Sequence, residues 1–197
     1  SPFDYRKSTL IYVPNDMPEP NEKFRYQSAV ERSLVHVATA LDGKTLALFT
    51  SYSQLQQTAQ AIRPLLALGG ITVFDQLDNS NRQVLIDSFK AGERSVLLGT
   101  RSFWEGIDIP GISLSALVIT RLPFPVPNEP IFSARSETYK DAFNEYTLPE
   151  AIIRFKQGFG RLIRSNEDRG IVVLLDKRII SKGYGQAFLD SLPDCTV

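Results

Sequence analysis

The chain has 197 residues, 43% of them hydrophobic, which is enough for one sizeable domain with a buried core. Lys and Arg together number 22, as do Asp and Glu, so the net charge is zero and no chain-wide positive field attracts nucleic acid. The single cysteine, Cys195, excludes an internal disulfide and a cysteine-based metal site, and no apolar run approaches the ~18 residues of a membrane span.

Short β-branched runs alternate with longer amphipathic stretches along the chain, which is typical of an α/β fold with a mostly parallel sheet and helices on both faces. The strand-like runs are nearly continuous in apolar residues, as strands buried on both faces should be. The predicted strands are 9–13, 46–50, 71–74, 96–99, 116–120 and 171–175. The predicted helices are 22–41, 54–68, 80–91, 129–146 and 149–164. The proline-rich segment 122–127 is predicted to be an extended connector, and residues 1–197 to form one domain.

The last predicted helix carries the most informative pattern. A helix advances about 100° per residue, so Gln157, Arg161 and Arg164 share one face, with Arg154 beside them, while the opposite face is apolar. Gly160 lies at the edge of the polar face, where a missing side chain lets a ligand approach. Guanidiniums on a rigid element suit phosphoryl transfer, because charge on the transferred group is neutralised by donors already in place. The alternative is a surface helix whose arginines are solvated.

Two loops that follow predicted strands carry further polar groups, at the edge where open parallel sheets bind ligands. Ser51 precedes a helix, so its hydroxyl and the nearby N–H groups can bind an anion, or Ser51 can simply cap the helix. In the loop 100–111, Asp108 can accept from a ribose hydroxyl and Thr100 can donate to a phosphate. Trp104 can stack on a base, although packing is the alternative for a lone tryptophan.

Two features resemble chemical motifs without fitting them. Gly43-Lys44-Thr45 resembles the end of a phosphate-binding P-loop, but the first glycine of that motif would fall at Ala38, and Lys44 precedes a strand rather than following one. His36, the only histidine, lies on a predicted amphipathic helix without an evident Ser or Cys partner. We expect it to be structural.

Three blocks in this order resemble motifs IV, V and VI of superfamily 2 helicases. They are residues 49–52, 105–111 and 157–164. Segments 102–106, 122–124, 168–170 and 175–178 resemble the DinG/XPD branch, nearest to bacterial DinG-type helicases. The resemblance implies a RecA-like three-layer fold and the second, C-terminal motor domain of such an enzyme. Residues 1–3 resemble the junction where that domain begins, so we expect a fragment of a longer chain.

The resemblance also implies roles for matching residues. Arg161 and Arg164 would contact the terminal phosphates of ATP, with Arg164 as the arginine finger, and Gln157 would couple the nucleotide to the domain interface. Asp108 would contact the nucleotide ribose, and Glu105 and Gly106 would lie at the interface between motor domains. Implied along the phosphates of single-stranded DNA are Ser51, Tyr52, Thr100 and Arg101.

The Walker A lysine loop and the acidic Mg²⁺-binding motif of such enzymes have no counterpart in this chain. ATP with Mg²⁺ would therefore be shared with an N-terminal motor domain, which is the expected partner together with single-stranded DNA. The parent chain could carry an iron–sulfur cluster, but we expect no metal site in this fragment.

The predicted function is the C-terminal motor domain of an ATP-dependent 5′→3′ DNA helicase, inactive when isolated. We expect a cytoplasmic protein with no membrane partner. Two alternatives remain: a non-catalytic nucleic-acid-binding or scaffold domain with a decayed motor, and an α/β enzyme that binds a phosphorylated small molecule.

Overall fold

The computed structural model describes residues 5–76, 81–104, 114–125, 138–162 and 168–196. Within these ranges six parallel strands form one sheet, in the order β1-β6-β5-β2-β4-β3. The strands are β1 (Thr9–Tyr12), β2 (Thr45–Leu48), β3 (Thr72–Asp75), β4 (Ser95–Gly99), β5 (Ala116–Ile119) and β6 (Gly170–Leu174). Each lies within two residues of its predicted bounds, and the predicted α/β fold class is confirmed.

Helices cover both faces of the sheet. They are α1 (Tyr5–Ser8), α2 (Lys23–Ala40), α3 (Tyr52–Leu68), α4 (Arg82–Ala91), α5 (Arg101–Trp104), α6 (Leu148–Phe159), α7 (Arg178–Ser181) and α8 (Gly185–Asp190). Side chains alternate along β2, so Leu46 and Leu48 join one apolar cluster and Ala47 joins the other. Helices α2 and α3 pack in the Ala47 cluster, and α4, α6 and α8 in the other. The predicted three-layer arrangement is therefore present.

Helix α6 ends earlier than the sequence predicts. Regular helix stops at Phe159, and residues 160–162 form a turn in which the N–H of Arg161 donates to the carbonyl of Gly158 (3.0 Å). The prediction of regular helix through this turn is wrong. Two glycines near this end explain the difference, because each costs about 1 kcal/mol relative to alanine inside a helix. Arg164 lies outside the described residues, so its predicted place on the helix is untested.

Aromatic side chains surround the start of α6. Only residues 138–146 of the predicted helix 129–146 are described. The prediction is wrong for residues 138–141, which are not helical, and a π-helical turn follows at Phe143–Thr147. Phe143 packs against Phe124 and Tyr184, with ring centroids 6.0 and 5.4 Å apart. Tyr139 and Tyr146 stack at 5.4 Å. Tyr139, Phe143 and Tyr146 thus contact other rings, as predicted, although Tyr139 and Phe143 stay exposed, and Phe132 lies outside the described residues.

A buried carboxylate fixes the connector that follows β5. Asp176 accepts from the backbone N–H of Leu122 (2.9 Å) and from two nitrogens of the Arg178 guanidinium, Nε (2.9 Å) and Nη2 (2.6 Å). The buried phenol of Tyr26 donates to the carbonyl of Thr120 at the same place. Burial, together with the nearby Asp176 carboxylate, raises the pKa of the Tyr26 phenol above its ordinary value. These bonds hold the carboxyl ends of β5 and β6 in fixed positions.

The segment that resembles a P-loop lies at the opposite, amino edge of the sheet. Asp42, Gly43 and Lys44 all have positive φ, and a Cβ on Gly43 would lie 2.4 Å from the backbone nitrogen of Ser95. Lys44 therefore belongs to a tight left-handed turn before β2, which agrees with the rejection of a phosphate loop. No helix in the described ranges is long and apolar enough to cross a membrane.

Candidate functional site

The carboxyl ends of β2, β3 and β4 bring three polar segments together, and Gln76 joins them. Its Oε1 accepts from the backbone N–H (2.8 Å) and the hydroxyl (2.7 Å) of Thr100. Its Nε2 donates to the hydroxyl oxygens of Ser102 (2.8 Å) and Tyr52 (3.1 Å). We call these four residues the Gln76 cluster. The sequence patterns did not single out Gln76, although a polar residue two positions after a predicted strand was an available signal.

Two predicted DNA contacts, Tyr52 and Thr100, are members of the Gln76 cluster. Tyr52 is exposed, so its hydroxyl can accept from Gln76 and still donate to a ligand. Thr100 is buried, and its hydroxyl donates a hydrogen bond to Gln76. A phosphate contact at Thr100 would therefore require this hydroxyl to rotate away from Gln76. Arg101 begins α5, and its side chain lies outside the described residues.

Ser51 adopts the capping geometry that the sequence analysis left as an alternative to anion binding. Its backbone is extended, and its Oγ accepts from the N–H of Gln54 at 3.4 Å. The first N–H groups of α3 nevertheless have no acceptor within the helix, because the first turn of any α-helix lacks one. Capping and anion binding are therefore compatible at this position.

Trp104 is a packing residue. Its side chain is 3% exposed, and its indole N–H donates to the carbonyl of Phe49 at 3.2 Å. A Cβ on Gly158 of α6 would lie 2.7 Å from the indole ring, so only glycine lets the helix approach so closely. The ring lacks an exposed face for a base, which corrects the stacking role considered from sequence. Trp104 instead fixes α6 against the ends of β2 and β4.

Helix α6 presents the two faces that its sequence predicts. Phe155 and Phe159 are buried in the core, as is Leu162 in the turn beyond. Gln157 and Gly160 are exposed, and Arg161 is half-buried. A Cβ on Gly160 would meet only carbonyl oxygens, at 3.4 and 3.7 Å, so the surface beside it is open. The exposed amide of Gln157 can donate to or accept from a ligand on this face.

Several predicted nucleotide contacts lie outside the described residues. They are Glu105, Gly106, Asp108 and Arg164. Their roles stay predictions. In the part of the chain that is described, no group of three or more His, Cys, Asp or Glu side chains could hold a metal ion.

These contacts bring together the segment after β2 and the helix α6, which carry parts of the first and third helicase-like blocks, and the segment after β4, which directly precedes the second block. The family model for the helicase C-terminal domain matches residues 34–195. The chain belongs to this family. The resemblance to DinG/XPD-type helicases is confirmed by its relatives.

Three curated relatives illustrate the similarity. The ATP-dependent DNA helicase YoaA of Haemophilus influenzae is 39% identical over 198 residues, which cover 98% of this chain and 30% of the relative. The ATP-dependent DNA helicase DinG of Photobacterium profundum is 39% identical over 203 residues, covering 98% and 29%. The 3′-5′ exonuclease DinG of Bacillus subtilis is 35% identical over 204 residues, covering 100% and 22%. The chain thus spans less than a third of the length of these relatives.

Solved helicase structures have the same fold. A solved XPD helicase matches with a TM-score of 0.72 and 23% identity, covering 96% of this chain and 35% of that chain. Saccharomyces cerevisiae Dbp5 bound to RNA and ADP BeF3 matches with a TM-score of 0.59 and 17% identity, covering 96% and 41%. These likenesses confirm the predicted RecA-like fold.

Proposed function

We propose that this chain is the C-terminal motor domain of an ATP-dependent 5′→3′ DNA helicase. The observation that supports it most is the fit of Gly158 against Trp104, which holds α6 beside the end of β4. In a member of the helicase C-terminal domain family, this fit gives the polar side chains of α6 a rigid support next to the segment after β4. Preplaced donors on a rigid element are what phosphoryl transfer requires.

In this proposal ATP binds between this domain and an N-terminal motor domain. When bound, ATP would supply the phosphoryl group, and Mg²⁺ would neutralise part of the negative charge on its phosphates. Arg161 and Arg164 neutralise charge on the terminal phosphates, with Arg164 as the finger. Gln157 hydrogen-bonds at the interface. The surface beside Gly160 is open to a ligand, and the partner domain would contribute the phosphate loop and the Mg²⁺ ligands.

The single-stranded DNA track in this proposal runs along the carboxyl edge of the sheet. Tyr52 offers an exposed hydroxyl, and the N-terminus of α3 after Ser51 offers N–H groups. Thr100 and Arg101 lie just beyond the end of the neighbouring strand β4. A neutral chain with half of such a channel should bind single strands weakly, at tens of micromolar or above.

The decisive experiment measures DNA-stimulated ATP hydrolysis by the full-length protein. We expect Arg164→Ala to abolish hydrolysis while single-strand binding stays near normal, since a finger contributes about 10³–10⁵-fold to rate. Arg94→Ala is the matched control, because Arg94 pairs with Asp42 (2.9 Å) at the amino edge of the sheet. Activity of Arg164→Ala within threefold of the wild-type rate would show that the finger is assigned incorrectly.

The isolated 197-residue chain tests whether the ATP site is shared with an N-terminal motor domain. We expect no hydrolysis of ATP by this chain, with or without DNA, because a finger acts only opposite a phosphate cradle and Mg²⁺. Contaminant-free, DNA-stimulated hydrolysis would refute a shared site. Saturable binding of a sugar phosphate with no effect of DNA would favour the small-molecule enzyme. A full-length protein without a Walker A loop would favour the decayed motor.

A further inference from the structure

A polar cavity of about 350 Å³ lies beside the N-terminus of α3. It is distinct from the Gln76 cluster, because Arg121 of its wall follows β5, and β5 lies on the other side of β2 from β4. The polar residues that line it are Lys23, Gln27, Ser51, Ser53, Gln54, Gln57 and Arg121. Two of these are cationic, and none of the described residues that line the cavity is a carboxylate. In a chain with no net charge, such a surface favours an anion.

Gln54 indicates that the ligand of this cavity also carries a hydrogen-bond donor. Ser51-x-x-Gln54 matches the capping box, in which the serine accepts from the backbone of the third helical residue and the glutamine reaches back. Only the serine half is formed here, at 3.4 Å. Gln54 is 8% exposed, and its Oε1 accepts from none of the described groups. Leaving a buried acceptor without a hydrogen bond costs free energy. A ligand that places an N–H or O–H donor in the cavity would remove this cost.

Arg121 is held rigidly at the cavity wall. One of its terminal nitrogens donates to the carbonyl of Pro20 (3.1 Å), and its guanidinium lies 4.9 Å from the centre of the Tyr26 ring. Its buried Nε has no acceptor among the described residues. Tyr26 is itself fixed by its bond to Thr120. A guanidinium that is fixed before the ligand arrives loses little conformational freedom on binding a phosphate.

We propose that this cavity binds one nucleotide unit of a nucleic-acid strand. Its phosphate contacts Arg121, Lys23 and the first N–H groups of α3, and an N–H donor of its base meets Gln54 Oε1. The choice of a strand as ligand rests on the proposed function. The site extends the track across β2, from the Gln76 cluster to the end of β5, and adds contacts that the helicase-like blocks do not include.

The sharpest test is Gln54→Glu, measured as binding of a fluorescent dT 12-mer by the 197-residue chain in 50 mM salt. Glutamate has the shape of glutamine and suits the third position of a helix after serine, so the thermal midpoint should be unchanged or higher. Its negative charge would lie in the same cavity as the bound phosphate, and the two charges repel each other through space, so the affinity should fall by about tenfold. A fall in affinity without a fall in stability is an effect that a structural role alone does not produce.

Lys23→Gln and Lys90→Gln form a matched pair. Lys23 lines the cavity, whereas Lys90 lies in the last turn of α4, which leads into the start of β4 at the amino edge. Losing one phosphate contact should reduce the slope of log affinity against log salt by about 0.7 for Lys23→Gln. The slope should stay at the wild-type value for Lys90→Gln.

The outcomes separate this inference from the proposed function. If Tyr52→Ala weakens binding while Gln54→Glu stays within twofold of wild type, the cavity assignment is overturned alone. If Gln54→Glu weakens binding and Tyr52→Ala does not, the cavity stands and the track near Tyr52 fails. If the chain does not bind the 12-mer, the cavity assignment and the proposed DNA track are both refuted. Equal competition by inorganic phosphate or dTMP would overturn the assignment to a strand.

Discussion

Alanine at Gly158 of α6 and alanine at Gly160, which directly follows this helix, should have opposite effects on stability. Alanine at either position gains up to about 1 kcal/mol from helix propensity and from a less flexible unfolded chain. At Gly158 the new Cβ would lie 2.7 and 2.8 Å from carbons of Trp104, a buried ring also held by its bond to Phe49. Overpacking of this kind costs about 1–3 kcal/mol, so Gly158→Ala should be net destabilising.

Gly160→Ala is the internal control. Its φ of −64° suits alanine, and the nearest atoms to the new Cβ would be carbonyl oxygens at 3.4 and 3.7 Å. The gain of about 0.4–1 kcal/mol is then uncompensated, and the two variants should differ by roughly 2 kcal/mol. Urea unfolding followed by Trp104 fluorescence measures both, since Trp104 is the only tryptophan. A Gly158→Ala midpoint equal to or above that of Gly160→Ala would refute the close approach of α6 to Trp104.

Two further predictions concern buried or half-buried ionisable groups. Asp176→Asn should lower the free energy of unfolding by about 3–5 kcal/mol, because it leaves Arg178 without its buried charged partner. The control, Asp190→Asn at an exposed position, should lower it by less than about 1 kcal/mol. Equal losses in the two variants would contradict the role of Asp176. Burial, with a smaller contribution from Asp194, raises the pKa of the Cys195 thiol to about 11, so iodoacetamide at pH 8 should modify the folded chain about 100-fold more slowly than the chain in urea. Because the pKa of Cys195 is higher in the folded chain, its protonated thiol stabilises the fold below about pH 9, and this contribution is lost as the pH rises towards 11. A modification rate within tenfold of the rate in urea would rule out the raised pKa.

The sheet could be predicted from sequence because half of its strands are wholly buried on both faces. All residues of β2, β4 and β5 are buried, and such strands appear as short continuous apolar runs. The end of α6 was harder to predict. Helical periodicity continues through residues 160–162, but it does not reveal how strongly two closely spaced glycines weaken a helix.

The site was predictable where a residue's role depends on its own segment. The apolar face of α6 and the cap at Ser51 are local features, and both are present. The bonds of Gln76 depend instead on the pairing of β3 with β4, and the cavity at Arg121 on β5 lying beside β2. No periodicity within one segment encodes these neighbours. Trp104 shows the same limit, because its burial depends on a glycine 54 positions later in the chain.

The amide of Gln76 has a consequence for communication within the domain. Its oxygen and nitrogen are parts of one rigid planar group, so a movement that follows Tyr52 also moves the acceptor of Thr100. Thr100 directly precedes α5, which ends in the ring that supports α6. The exposed hydroxyl of Tyr52 is thus linked through Gln76, Thr100 and Trp104 to the helix that ends shortly before Arg161.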